Sequence, residues 1–255
     1  MIYIRSIKLN RDIPKHSYLS TLPVIKNLRS MQELTFEKPI TFFVGENGIG
    51  KSTLIEAIAV QFGFNPEGGK KSYCFHTKNT HSPLADYITL VKTFHFAKNG
   101  YFLRAESFYN TLSYQDYIDT DAAADNDRTY FDQIIEGTTC DFSRHNRSHG
   151  ESFLAAVRDF DSNGLYIFDE PEAALSPSGI MKLMAYMNAL VKKNCQFIIS
   201  THSPILISMP NSDVYQLTQQ GIDKVPFTQT DHYTTTRRFL ENPDKILKHL
   251  LSDED

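Results

Sequence analysis

Ile40-Thr41-Phe42-Phe43-Val44-Gly45-Glu46-Asn47-Gly48-Ile49-Gly50-Lys51-Ser52-Thr53 is an apolar run that breaks into a glycine-rich loop. Residues 45–52 fit the phosphate-binding pattern G-x-x-x-x-G-K-[ST]. Glycines permit positive φ and let backbone N–H groups approach phosphate oxygens. The stretch that follows, Thr53-Leu54-Ile55-Glu56-Ala57-Ile58, reads as a helix, whose unpaired first-turn N–H groups favour an anion. The strand–loop–helix context separates the motif from a chance glycine turn. Gly45, Glu46, Asn47, Gly48, Ile49, Gly50, Lys51, Ser52 and Thr53 are therefore the expected phosphate cradle. Lys51 is placed to neutralise the β and γ phosphates, and Ser52 to hold Mg²⁺.

Leu165-Tyr166-Ile167-Phe168-Asp169-Glu170 is four apolar residues ending in two acids. A buried strand that ends this way puts its carboxylates at the C-terminal edge of a sheet, where α/β folds bind ligands. Asp169 is expected to reach Mg²⁺ through its water shell. Glu170 is expected to orient or deprotonate an attacking water. A second apolar run, Gln196-Phe197-Ile198-Ile199, leads into Ser200-Thr201-His202, which puts His202 at a second strand end on the same edge. From there its imidazole can contact a γ-phosphate. Either feature alone reads equally as a strand running into a polar turn.

The order of phosphate loop, Ser148-His149-Gly150-Glu151-Ser152, Asp169-Glu170, Ala173-Ala174-Leu175-Ser176 and His202 resembles an ABC-type ATPase head. It is closer to the soluble heads of SMC-like and RecF-like proteins than to transporter domains. More narrowly it resembles a family of small bacterial AAA-type/ABC-like ATPases. The resemblance implies ATP and Mg²⁺ as ligands and ATP hydrolysis as the activity. It implies Walker A and Walker B roles for 45–52 and 169–170, and catalytic roles for Lys51, Glu170 and His202. It also implies that Ser148 and Gly150 bind the γ-phosphate of ATP held by the opposite subunit. His149 departs from the commoner small or polar residue of that signature. Ala173 to Ser176 are implied to cross a dimer interface. The usual Mg²⁺-contacting glutamine has no clear counterpart: Gln61 falls too soon after Lys51, and the stretch Arg104-Ala105-Glu106-Ser107, which follows a strand, is the substitute, with Glu106 the residue in it. Tyr3, Arg5 and His16 are the candidates for stacking on the base.

One signature and one phosphate loop per chain mean that two complete sites need two chains, so an ATP-dependent homodimer is expected. The 96 residues between Lys51 and Ser148 leave no room for a long coiled coil. The resemblance allows a dimerisation cycle that drives or gates a partner process, with DNA repair or maintenance and antiviral defence among the roles. An ATP-sensing module with little turnover and a transporter ATPase subunit are the alternatives. A nucleotide kinase on the same loop would not need Ser148 or His202 at these spacings.

The net charge of −4 gives no overall field to draw in nucleic acid. Arg144, Arg147, Lys70-Lys71 with Lys78, and Arg237-Arg238 read as surface charge. Cys74, Cys140 and Cys195 are few and scattered, as expected of free thiols in a reducing cytoplasm. No apolar run reaches membrane-spanning length, so a cytoplasmic location without direct membrane insertion is expected. Residues 112–137 are acidic, and Asp119 to Tyr130 fails as a calcium loop because Ala and Tyr stand where oxygen ligands belong.

The expected fold is α/β: an ABC-ATPase-like, mostly parallel sheet flanked by helices, with an N-terminal antiparallel β subdomain and a small insertion before the signature. One domain over 1–255 is expected, in three parts. Residues 1–110 hold the antiparallel β and the phosphate loop, 111–150 the insertion, and 151–255 the carboxylate strand, the histidine and a C-terminal hairpin with helices. Ile2 to Leu9 reads as an edge or antiparallel strand, and 10–33 as irregular, broken by Pro14 and Pro23. Tyr87 to Phe96 and Tyr101 to Ala105 read as strands joined by a turn at 98–100. Helices are expected over 152–158 and 178–193, a hairpin from 214–217 and 224–227, and two short helices around Pro243.

Overall fold

The structure, a computed structural model, describes residues 1–66, 68–70, 82–104, 149–158 and 160–252. Its centre is a seven-stranded sheet in the order β10-β9-β3-β8-β7-β6-β4. The strands are β3 (Ile40–Gly45), β4 (Gly69–Lys70), β6 (Asn99–Arg104), β7 (Gly164–Asp169), β8 (Gln196–Ser200), β9 (Ser212–Leu217) and β10 (Ile222–Lys224). The inner five pair in parallel, and β4 and β10 close the two edges antiparallel. A second sheet sets β1 (Ile4–Leu9) antiparallel between β2 (Leu34–Thr35) and β5 (Ile88–Lys92). The α/β class with a mostly parallel sheet and a separate antiparallel sheet is thus as expected.

Every residue of β3, β7 and β8 is buried. Such continuous apolar strands belong to a sheet covered on both faces. Side chains alternate between the faces: Phe43, Ile167 and Ile198 point into one core, and Phe42, Phe168 and Ile199 into the other. The first core is covered by α1 (Pro23–Ser30), α2 (Lys51–Phe62) and the antiparallel sheet. The second is covered by α3 (His149–Arg158) and α4 (Pro177–Lys192). Each fully buried Phe, Ile or Leu contributes about 1.5–3 kcal/mol by leaving water. Gln196, fully buried, ties the two sheets together. Its Oε1 accepts from the N–H groups of Tyr3 at 2.7 Å and Ile4 at 3.0 Å, and its Nε2 donates to the Ile4 carbonyl at 2.9 Å.

Several local expectations change. Of the two readings of β1, the antiparallel one holds and the edge one does not: the strand is the centre of its sheet. Residues 23–30 form a helix, because Pro23 occupies the first helical position, where its missing N–H costs nothing. Strands β5 and β6 do not form a hairpin: β5 joins the antiparallel sheet, and β6 crosses to pair in parallel with β7. Helix α3 starts at His149, three residues before the expected position. The hairpin partner of β9 is 222–224, in register from Ile222 opposite Leu217 to Lys224 opposite Tyr215. Two helices flank Pro243 as expected: α5 (Asp231–Glu241) and α6 (Pro243–Leu250). No helix among the described residues is long and apolar enough to cross a membrane.

Candidate active site

The loop between β3 and α2 is built by backbone geometry. Gly50 takes the cap position of α2 with φ 102° and ψ 22°, a left-handed conformation that suits glycine. A Cβ there would lie 2.5 Å from Val24 Cγ1, and one at Gly45 would lie 2.4 Å from the Leu217 carbonyl oxygen. Helix α1 forms the floor of the loop, with the Val24 N–H donating to the Ile49 carbonyl at 3.1 Å. No side chain caps α2, and its first internal bond runs from the Leu54 N–H to the Gly50 carbonyl. The N–H groups of Lys51, Ser52 and Thr53 precede that ladder and are free to meet an anion.

Lys51 is buried and folds back over the loop. Its Nζ donates to the Gly45 carbonyl at 2.8 Å and the Glu46 carbonyl at 3.0 Å. Burial pushes its pKa down, while Glu170, Asp169 and Glu172 push it up. Ser52 Oγ donates to Asp169 Oδ1 at 3.1 Å, and Ser200 Oγ donates to the same oxygen. Burial raises the Asp169 carboxyl above the usual range; these hydroxyls and Arg104 act against the rise, and Glu170 adds to it. Arg104 ends β6 in register with Asp169 and pairs with buried Glu56 of α2 at 3.0 Å. Among the described residues no group of three or more His, Cys, Asp or Glu forms a metal cage. One hydroxyl and one carboxylate suit Mg²⁺, which keeps several waters and takes phosphate oxygens as further ligands.

Strand ends are stitched together just beyond these groups. The Glu170 N–H donates to the Ser200 carbonyl at 3.0 Å, and the Thr201 N–H to the Phe43 carbonyl at 3.1 Å. Glu170 adopts φ 52° and ψ 54°, a strained conformation for a side chain of this kind, which turns the chain off β7 toward its neighbour. His202 Nε2 then lies 3.3 Å from Glu170 Oε1. That nitrogen is buried and has no aligned hydrogen-bond partner. Glu172 Oε1 accepts from the His202 backbone N–H, and its Oε2 is also buried and unpartnered. Burial raises the Glu172 carboxyl. Two orphaned polar atoms beside the loop fit a site that receives a charged ligand. On its other side His202 Nδ1 meets His232 Nε2 of α5 at 2.9 Å.

The structure thus brings Gly45 to Thr53, Asp169, Glu170 and His202 to one edge of the sheet. Gly150 lies in the first turn of α3. Phe153 of α3 meets Phe168, and Phe160 just beyond the helix stacks on Tyr166 at 4.4 Å and also meets Phe168, so α3 packs over β7. Ser148 and Glu106 lie outside the described residues, as do Arg144, Arg147, Cys74 and Cys140. Tyr3 is overturned as a base-stacking group: it is 1% exposed, and its hydroxyl donates to the Asn194 carbonyl. Arg5 and His16 are exposed and enter none of the contacts above. Gln61 sits inside α2 and donates to the Ile88 carbonyl at 3.0 Å. Ser176 caps α4 by accepting from the Gly179 N–H, and residues 173–176 are exposed or half-buried.

Three participants escaped the sequence reading, and a fourth was named for another role. Ser200 and Glu172 stood beside Thr201-His202 and Asp169-Glu170, so strand-end position alone could have raised them. His232 carried no such signal, because only the C-terminal fold brings it in; Arg104 opened the stretch expected to supply the Mg²⁺ contact, and it pairs with Glu56.

Residues 18–223 match the family described as RecF/RecN/SMC N terminal domain. No curated protein matches the chain. Similar solved structures include the SMC head domain from Thermotoga maritima, at 14% identity over 88% of this chain and 99% of that one, TM-score 0.43. A nucleotide-free ATP-binding cassette from an ABC transporter has 15% identity over 99% and 100%, TM-score 0.47. The cbiO1 protein from Clostridium perfringens, part of the ABC transporter complex cbiONQ, has 15% identity over 98% and 99%, TM-score 0.43.

Proposed function

Because the chain belongs to the RecF/RecN/SMC N-terminal domain family, we propose that this ABC/SMC-like ATPase domain hydrolyses ATP in a homodimer whose assembly drives or gates a partner process. The observation that carries the reading is the meeting of loop 45–53 with Asp169, Glu170 and His202 at one sheet edge, joined by the Ser52–Asp169 bond and the 3.3 Å approach of His202 to Glu170.

In this reading the amides that open α2 and the Lys51 ammonium bind the β and γ phosphates. Nucleotide would replace the two carbonyls that now hold Lys51 Nζ. Ser52 and Asp169 would hold Mg²⁺, which supplies charge neutralisation along the phosphates. Glu170 orients the attacking water and accepts its proton, and its side chain is 39% exposed, open to that water. His202 Nε2 donates to the γ-phosphate or the water. Ser148 and Gly150 of a second copy complete the site, and 173–176 lie at the seam. The packing of α3 over β7, the strand that ends in Asp169, supports this assignment for Gly150. A cytoplasmic setting suits this substrate.

The test is Glu170→Gln, purified beside the wild type. Phosphate release and particle size are measured with Mg-ATP. The variant is expected to bind ATP, release phosphate at least about a hundredfold more slowly and accumulate as a dimer. A variant that stays monomeric in saturating ATP sinks the shared-site arrangement.

A further inference from the structure

We propose that His232, on the C-terminal helix α5, is a positioning residue that fixes which ring nitrogen of His202 carries the proton. The inference deepens the ATPase reading and rests on it for its functional consequence, though not for its geometry.

The His202 ring sits between two groups. Nε2 faces Glu170 Oε1 at 3.3 Å, and Nδ1 faces His232 Nε2 at 2.9 Å, with the two rings 5.0 Å apart at 57°. The Glu170 oxygen is out of line for a hydrogen bond, but a carboxylate at 3.3 Å repels a bare nitrogen lone pair and attracts an N–H, so the neutral His202 ring is best served with its proton on Nε2. Nδ1 is then a bare acceptor, and the contact with His232 requires the proton on His232 Nε2. The opposite arrangement, with Nδ1–H donating to His232, leaves two lone pairs facing each other across the His202–Glu170 gap. Which nitrogen of a histidine is protonated follows from the hydrogen bond that the other one makes. Burial, His202 and the Lys51 ammonium all push the His232 pKa down, and Asp231 and Glu46 push the other way. A neutral His232 keeps the single Nε2–H that the donor role needs.

His232 is held firmly enough for this task. Fully buried Thr230 caps α5 by accepting from the Tyr233 N–H at 3.3 Å. Next to His232, Asp231 is tied to β9 in both directions: its N–H donates to Gln216 Oε1 at 3.3 Å, and its Oδ2 accepts from Gln216 Nε2 at 2.6 Å. Gln216 is in register with Val44, directly before the phosphate loop. The first turn of α5 is therefore anchored at the site edge, while no residue of α5 or α6 is fully buried. A helix that contributes nothing to either core is the element that supplies the donor. Whatever moves the start of α5 releases the His202 proton to the wrong nitrogen.

The test reads the tautomer directly, by long-range ¹H–¹⁵N NMR of the histidine rings in the nucleotide-free full chain. The chain has nine histidines, and the His202 signals are assigned by their loss in His202→Gln. Neutral wild-type His202 is expected as the Nε2–H tautomer. His232→Leu, which removes the donor, is expected to give a mixture. His232→Gln, whose amide nitrogen can stand where Nε2 stands, is expected to restore the preference. With ATP, His232→Leu should lower kcat about tenfold with KM unchanged, and the Gln variant should recover most of it. An Nδ1–H tautomer in the wild type overturns the proposal, as does a His202 tautomer unmoved in His232→Leu. Should the wild type fail to hydrolyse ATP, the functional reading falls, yet the tautomer measurement still decides this inference. Should the Leu variant fail to fold, the wild-type and Gln spectra decide it.

Discussion

Ser52 in the first turn of α2 and Asp169 at the last position of β7 share a hydrogen bond of 3.1 Å across 117 residues of sequence. That bond joins the loop that would grip phosphate to the strand that would present the carboxylate. Asp169 is 8% exposed as a residue and has Ser200 as its second hydroxyl partner, so its charge is buried with, among the described residues, hydroxyls alone bonded to it.

Asp169→Asn is accordingly expected to stabilise the nucleotide-free protein while abolishing Mg²⁺-dependent hydrolysis. Burial raises the folded-state pKa of Asp169, so the ionised form at neutral pH opposes folding. The amide keeps an oxygen for Ser52 and Ser200 and drops the buried charge. A rise in Tm of about 2–4 °C at pH 7 corresponds to ~1 kcal/mol in a chain of this size. The gap should narrow as the pH falls through the folded pKa, and close below about pH 4, where the carboxyl is protonated in both states. Thermal melts of both proteins across pH check this. A lower Tm for the Asn variant at neutral pH contradicts it.

Glu170 stands at φ 52° and ψ 54°. Glycine tolerates this conformation and alanine does not, so Glu170→Gly should be more stable than Glu170→Ala by about 1 kcal/mol. This reverses the usual penalty for glycine. Both variants should lose hydrolysis. Urea unfolding of the pair measures the difference, and an alanine variant at least as stable shows that the backbone turn relaxes when the side chain goes.

Gly50→Ala places a methyl 2.5 Å from Val24 Cγ1 in a left-handed residue. A loss of about 1–3 kcal/mol is expected. Because the displaced atoms belong to the floor of the loop, nucleotide affinity should fall too. Saturating ATP should then raise the Tm of the variant far less than that of the wild type. An equal rise in the two proteins means that α1 yields without reshaping the loop.

Gln196→Leu leaves the N–H groups of Tyr3 and Ile4 and the Ile4 carbonyl without their partner in a dry interior. A destabilisation of about 2–5 kcal/mol is expected. Its signature is location: hydrogen exchange should quicken first in β1, while the parallel sheet stays protected. Uniform loss of protection would mean that the two sheets unfold as one unit.

The parallel sheet and most of its site were legible in the sequence because each strand is a short apolar run that stops at a functional residue. Val44 before the loop, Phe168 before Asp169 and Ile199 before Ser200-Thr201-His202 mark three C-terminal strand ends, and the fold aligns them. What escaped was set by partners distant in sequence. Pro23 reads as a breaker until a helix is seen to begin there, and that helix matters because Val24 touches Gly50 and Ile49. Strands β5 and β6 look like a hairpin, yet residue 99 starts a strand that belongs beside β7. Tyr3 carries a polar tip that resembles a ligand contact, and that tip is used on the Asn194 carbonyl. His232 has no motif around it; only the placement of α5 beside β3 and the segment that follows β8 brings it to His202.

The position of α1 beneath the loop also bears on transplantation. A strand–loop–helix segment cut from 40–62 would carry every residue of the motif and none of its foundation, since the surface that Ile49 and Gly50 rest on comes from residues 22–24. Grafted into a foreign sheet, it would keep its lettering and lose its curvature. The smallest portable anion cradle in this molecule therefore has to include the helix that begins at Pro23.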